Sequence, residues 1–467
     1  MIIFRALSAS LLVLCNLNSP VLAIQQTGGQ PQAQTQKPSP SKSQSPASPD
    51  QKRLLAKITA TPHYDLSRLK KLAEAHNPTL AQAKAQIRGE RGKALQAGLW
   101  PNPTLQSAGE LLGERGAGLG EFLGGGVQQE IKLGGKLKWS RKKYQARASA
   151  AEQEARVQFF KVMNDVEVLY YAVLAAEERV KLQKELLKSA RDFQLTKKEM
   201  YNLGEANLAD LHYANMVVAK QDLEVKATIN DLQYQWVQLF TVVGINAEYS
   251  PLTGDLYADE KPIDSNSSLA RLLKESPELA QARAKLKSDE ITVQREKRQP
   301  IPNLWLCGQA GYDQSNLSFA SNVMINLSNI PIWNRNQGTI EQAKADLQRQ
   351  KAQVELKKLQ LRRSFAAQYL HYLNSLQHVT AYRDTILPEA RARYQVNLKS
   401  YKNARLEWPV VLDSQKDYFA ARLAYIDYLY HWRKARVELD GFLLTGGLEA
   451  PRGVTPPGHI DATPQPR

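Results

Sequence analysis

The chain has 467 residues, 43% of them hydrophobic, and a formal net charge of +16. That is length for one large domain or two to three ordinary ones. The basic balance is that of solvated helix faces, because Lys and Arg alternate with acids, as in Glu177-Glu178-Arg179 and Lys184-Glu185; no nucleic-acid partner is expected of it.

In chain order the first element is a leader. Arg5 supplies a positive start, Ala6 to Cys15 is a short apolar run, and Val21-Leu22-Ala23 offers small-residue cleavage before Ile24. Residues 1–23 are therefore predicted to be a secretory signal peptide. Leu14 stands before Cys15 where a lipidated cysteine wants a small residue, so lipidation is not expected. Loss of Cys15 leaves Cys307 as the single cysteine, a small packed residue of a predicted strand. Residues 24–62 are rich in Gln, Pro, Ser and Thr and read as a disordered lead; 446–467 read as a disordered tail. Between them no run of 18 apolar residues occurs, so any crossing of a membrane falls to strands closed into a barrel.

The chain then repeats itself. Asn77-Pro78-Thr79-Leu80-Ala81-Gln82-Ala83 returns as Ser276-Pro277-Glu278-Leu279-Ala280-Gln281-Ala282, and Pro101-Asn102-Pro103-Thr104-Leu105 as Pro300-Ile301-Pro302-Asn303-Leu304, both at an offset of 199 residues. One constant offset argues for a duplication into repeats over 63–250 and 251–445. Each repeat predicts a first helix (near 66–98 and 266–298), two strands, a very long helix, and a final helix ending at Gly244 or Gly441. Lys136 to Leu203 and Thr339 to Leu387 hold neither Gly nor Pro. Val162, Val166, Leu169, Val173 and Val180 make a seven-residue stripe, as do Leu347, Val354 and Leu361. A helix of that length spans roughly 100 Å. The first and last helices together match it, which predicts two short helices end to end beside one long one.

The predicted strands cover about 104–112, 122–133, 303–312 and 319–327. In the last, Asn322 and Asn326 alternate with Val323, Ile325 and Leu327, a pattern for a wall with water on one face and lipid on the other. Four strands cannot enclose a lumen, whereas three chains would supply twelve. Gly113 to Gly120 and Asp313 to Ser318 are the expected outer loops. The fold class is thus mainly α with a β-barrel part, in two tandem structural repeats.

These pieces, with Gln129-Glu130-Ile131-Lys132-Leu133-Gly134-Gly135-Lys136, Ile330-Pro331-Ile332-Trp333-Asn334-Arg335-Asn336-Gln337-Gly338, Leu387-Pro388-Glu389-Ala390 and Val411-Leu412-Asp413, resemble the TolC-like outer-membrane efflux family over about 66–443. Gln129 to Lys136 is most similar to its heavy-metal branch. The resemblance implies a homotrimer whose long helices form an α-barrel continuing a 12-stranded transmembrane β-barrel. It implies an outer-membrane channel with a periplasmic extension, serving tripartite efflux or type I secretion beside a periplasmic adaptor and an inner-membrane pump. It implies docking of the adaptor at the turns Leu203-Gly204-Glu205-Ala206 and Asn403-Ala404-Arg405-Leu406. It implies a periplasmic gate, carried over onto Asp210, Tyr401 and Asp413. The family's second gate acid falls on Val410 and its network arginine on Leu406, one past Arg405, so the lock is expected either to be weaker or to be rebuilt with Arg405. No enzyme motif, cofactor or metal site is expected: Gly124-Gly125-Gly126 precedes a strand, and His371 and His378 lack a third ligand at metal spacing. The alternative reading is an exported coiled-coil scaffold without a channel.

Overall fold

The computed structural model describes residues 64–110, 122–258, 261–314, 316–328, 330–403 and 405–451. The expected signal peptide and lead, the loop Gly113 to Gly120, Ala404 and the tail beyond Pro451 lie outside the described residues. The described residues belong to one unit, the part of the chain from Thr61 onward.

Its elements come in two like series. The first holds α1 (Leu66–His76), α2 (Pro78–Gln96), β1 (Thr104–Glu110), β2 (Phe122–Ile131), α3 (Lys136–Asn202) and α4 (Leu208–Val243). The second holds α5 (Ser265–Glu275), α6 (Pro277–Glu296), β3 (Asn303–Asp313), β4 (Ser318–Ser328), α7 (Gln337–Ala381), α8 (Leu387–Lys402) and α9 (Trp408–Asp440).

Each first helix, expected as one piece, is broken in two. A residue before proline is pushed out of the helical region, and Asn77 is extended at φ −67°, ψ 122°. Its carboxamide oxygen then accepts from the Thr79 backbone N–H at 2.9 Å, while its Nδ2 donates to Val242 O at 2.7 Å. The break thus caps α2 and ties it to the end of α4. Ser276 repeats the geometry without a side-chain cap bond. The second long element runs to the expected break near Ala404, but not as one uniform α-helix. A π turn over Tyr382–Ile386 absorbs the disturbance of Pro388, which cannot donate to the preceding turn, and α8 continues to Lys402.

The valine stripe of α3 is the spine of the core: Val162, Val166 and Val173 are wholly buried and Val180 nearly so. Leu69 and Leu80 of the first helices, Trp236 and Leu239 of α4, and Leu429 and Trp432 of α9 pack into the same cluster. Burial of each such side chain contributes roughly 1.5–3 kcal/mol. Between the repeats, Glu177 of α3 accepts from the Leu252 N–H and the Tyr249 hydroxyl, each at 3.1 Å. Burial nevertheless pushes its carboxyl above the ordinary carboxylate range. The expected disordered tail begins too early at 446. The Gly447 carbonyl accepts from Thr79 Oγ1 at 3.0 Å and Gln158 Nε2 at 2.8 Å, and its N–H donates to Asp165 at 2.6 Å. The chain there follows a buried polar groove on α3 that no hydrophobic pattern announces.

The four strands form one antiparallel sheet in sequence order, β1-β2-β3-β4. The two hairpins join where β2 pairs β3, from Phe122 opposite Asp313 to Ile131 opposite Leu304. Within the chain β1 and β4 are the sheet's edges.

Candidate functional site

Two places, about 100 Å apart along α3, carry the features that a conduit needs.

The first is the sheet. Side chains alternate across a strand, and directly paired residues share a face. The register therefore sorts the sheet into two surfaces. Leu105, Val127, Gly308 and Val323 fall in one row, and Leu123, Tyr312 and Phe319 in another row of the same face; Leu306 and Ile325 pair on it too. Val323 is 71% and Ile325 66% exposed in the single chain. The opposite face carries Gln106 bonded to Gln128, and Asn322 paired with Gln309. It also carries Asn303, which donates to Glu130 Oε1 at 2.6 Å and accepts from Lys136 Nζ at 2.7 Å. Trp305 lies on this polar face but spends its indole N–H on Ser328 Oγ at 2.9 Å. Asn322 and Asn326 thus stand on one face and Val323, Ile325 and Leu327 on the other. Cys307 is buried on the polar side, between Gln128 and Met324 in the register.

The second place is the pair of turns joining the long and final helices. At the first, Glu205 N–H donates to Met200 O at 2.8 Å and Gly204 N–H to Tyr201 O at 3.1 Å. The left-handed Gly204, φ +77°, makes that closure possible. At the second turn Arg405 N–H likewise donates across five residues, to Ser400 O at 2.9 Å. Leu203 is 74% exposed at this rim. Glu205 and Asn403 are exposed with it, whereas Ala206 and Leu406 are half-buried on the way into the next helix.

The expected gate residues divide into separate pairs within one chain. Asn207 caps α4 by accepting from the Asp210 N–H at 2.8 Å, and the Asp210 carboxylate lies 4.0 Å from Lys197. Tyr401 sets its ring edge-on to Trp408, centroids 4.8 Å apart. Asp413 pairs with Arg393 of α8 at 3.0 Å, and the same guanidinium reaches Asp417 one turn on. Arg405, on which a rebuilt lock is expected, donates its backbone N–H at the second turn, and Asp413 is paired within the chain by Arg393. Val410 is 41% exposed on the same first turns of α9.

Sequence reasoning missed the aromatic knot beneath the rim. Phe193 of α3 stacks on Trp408 of α9 at 5.4 Å and meets Tyr213 of α4 edge-on at 6.4 Å. These rings pin the two helical hairpins to each other just inside the turns. Trp408-Pro409, opening a helix directly after the turn, was the available signal. Of the two histidines set aside as ligands, His378 lies flat on Tyr428 with centroids 4.2 Å apart.

A sheet with one polar and one apolar face, continued by helices of this length, defines a membrane channel protein with a long helical extension. The comparisons agree. The family profile "Outer membrane efflux protein" matches residues 69–245 and again 269–444, and the chain belongs to that family. It is an outer-membrane efflux channel, its helices extending into the periplasm. The cobalt-zinc-cadmium resistance protein CzcC of Cupriavidus metallidurans is 25% identical over 383 residues, covering 80% of this chain and 88% of the relative. Among solved structures, CusC superposes with a TM-score of 0.67 at 17% identity, covering 82% of this chain and 93% of that one. The outer-membrane channel OprN gives 0.66 at 18%, covering 82% and 91%. VceC of Vibrio cholerae gives 0.64 at 17%, covering 82% and 96%.

Proposed function

We propose that three copies close edge to edge into a 12-stranded barrel and a coaxial helical barrel. In this reading the assembly is the exit duct for heavy-metal cations delivered by an inner-membrane pump through a periplasmic adaptor. The sorted sheet carries the reading. Its two free edges, β1 and β4, expose unpaired backbone groups that lipid cannot satisfy, and a neighbouring copy satisfies them on both sides. The two family matches support one repeat over 63–250 and a second over 251–445. The cation cargo rests on the likeness to CzcC. Light scattering in detergent is expected to give about three times the 52.4 kDa chain, less its signal peptide; a monodisperse monomer overturns the proposal.

The gate belongs to the same reading. Threefold symmetry would place Asp413, and Asp417 behind it, in rings that attract cations. Arg393 offsets part of that charge. In a planar bilayer, Arg393→Ala is expected to deepen block by divalent cations, and Asp413→Ala to blunt it. Unchanged block in both, and in Asp210→Ala, would reduce these acids to ordinary residues early in their helices, where the dipole favours them.

A further inference from the structure

Directly beyond the strand ends lies a hollow of about 490 Å³, lined by Trp100, Lys132, Lys138, Arg141 and Lys142 among others, with no acidic residue in its wall. None of these four cations forms an ion pair among the described residues. Lys142 lies over the Trp139 ring, Nζ 4.9 Å from the centroid. The stem of Arg141 lies along the backbone at Gly98, where a Cβ would come within 2.9 Å of its Cδ. Four clustered positive charges repel one another, and a site that gathers them unpaired is built for an anion. Elsewhere along these helices basic residues are commonly neutralised by partners, as Arg147 is by Glu90 at 3.0 Å and Arg422 by Glu185 at 2.6 Å.

The position of the hollow selects the anion. Lys132 follows the last residue of β2, and Trp100 precedes β1 by only a few residues. Their level is where the apolar sheet face ends. Trp100 is 58% exposed there, and Ile332 and Trp333, just past β4, are 61% and 86% exposed. Amphipathic aromatic rings at this depth mark the boundary between acyl chains and headgroups. Leu105, 82% exposed on the apolar face of β1, continues that boundary into the hydrocarbon.

We infer that this hollow binds the phosphate of an anionic phospholipid on the helix side of the bilayer, with the acyl chains lying along β1 and β2. The inference rests on the outer-membrane placement of the sheet. A bound lipid would anchor the junction between sheet and helices at fixed depth.

The test uses the full-length protein in the assembled state in which it purifies. Native mass spectrometry would count retained phosphatidylglycerol and a zwitterionic phospholipid at equal supply, for the wild type and for Lys138→Gln/Arg141→Gln/Lys142→Gln. Removing three cations is expected to weaken retention of the anionic lipid roughly a hundredfold, about fivefold for each charge, and to leave the zwitterionic lipid unchanged. Lys198→Gln/Lys399→Gln/Lys402→Gln at the far end is the charge-matched control and is expected to retain both. Should the triple variant fail to assemble, quenching of tryptophan in the wild type by brominated phosphatidylglycerol answers instead. It should exceed quenching by the brominated zwitterionic lipid and shrink in Trp100→Phe. Equal retention by wild type and triple variant overturns the site. So does preferential loss of the lipid to millimolar inorganic phosphate, which would make the ligand a free anion, and so does equal quenching by both lipids, the result expected if a neighbouring copy covers the hollow. Conductance of the same variants in a planar bilayer separates the two levels. Channels that conduct but show no lipid preference refute the lipid site alone, whereas wild-type protein that neither inserts nor conducts refutes the membrane reading beneath it.

Discussion

Replacing Val323 with arginine is expected to cost about 2–4 kcal/mol in each chain if the residue lies near the bilayer midplane. The same replacement of Asn322, one residue away, is expected to be mild. The contrast follows from the register. Val323 shares its row with Gly308, Val127 and Leu105, whereas Asn322 shares its own with Gln309, Gly126 and Gln106. A guanidinium in the first row meets hydrocarbon; in the second it joins amides that already hydrogen-bond in water. In the proposed trimer the first cost arises three times, so Val323→Arg should fail to yield heat-resistant assemblies in outer-membrane fractions. Refolding into lipid vesicles with urea titration measures the difference. Equal tolerance at the two positions would mean that the faces are wrongly assigned.

The second large effect is expected at the opposite end. Leu203, 74% exposed, and Glu205 form a rim that no element of the chain covers among the described residues. An apolar residue held out on a rigid turn fits the buried centre of a protein contact. Leu203→Arg combined with Glu205→Arg should weaken adaptor binding by at least about 2 kcal/mol, some thirtyfold, and abolish export. The backbone closure depends on Gly204 and on Glu205 N–H rather than on these side chains, so assembly and thermal stability should stay at wild-type values. Binding of the purified adaptor by surface interferometry, with cellular metal resistance beside it, gives the readout. Wild-type binding and wild-type resistance would remove docking from this rim.

How legible these features were depends on their range. The valine stripe of α3 is a local periodicity, and the structure buries the residues it names. The strand faces were legible from Asn322 and Asn326, because alternation is decided within one strand. Gly204 announced its turn because few other residues adopt its backbone angle at low cost. Asn77-Pro78 and Ser276-Pro277 mark the repeat, and as X-Pro steps inside an apolar pattern they also carry the helix break that the single first helix leaves out. The partner of Asp413 was hidden for a different reason. Arg393 lies on the other arm of the hairpin, and its pairing with Asp413 is set by how α8 and α9 pack, after the π turn at the start of α8. The aromatic knot draws Phe193, Tyr213, Tyr401 and Trp408 from four helices, so no window of sequence contains it. The groove that holds Gly447 is polar and buried, a combination invisible to hydropathy.

The claim that stands above the rest is that the sheet and helices enclose a continuous aqueous path. Single-channel recording in a planar bilayer, with the purified full-length protein added from the side of its helices, tests it most directly. Discrete, long-lived current steps that favour cations over anions, and that change in the gate variants of Arg393 and Asp413, are expected. Protein that inserts as an assembled oligomer yet passes no current, in the wild type and in every gate variant alike, would contradict it and leave the scaffold reading in its place.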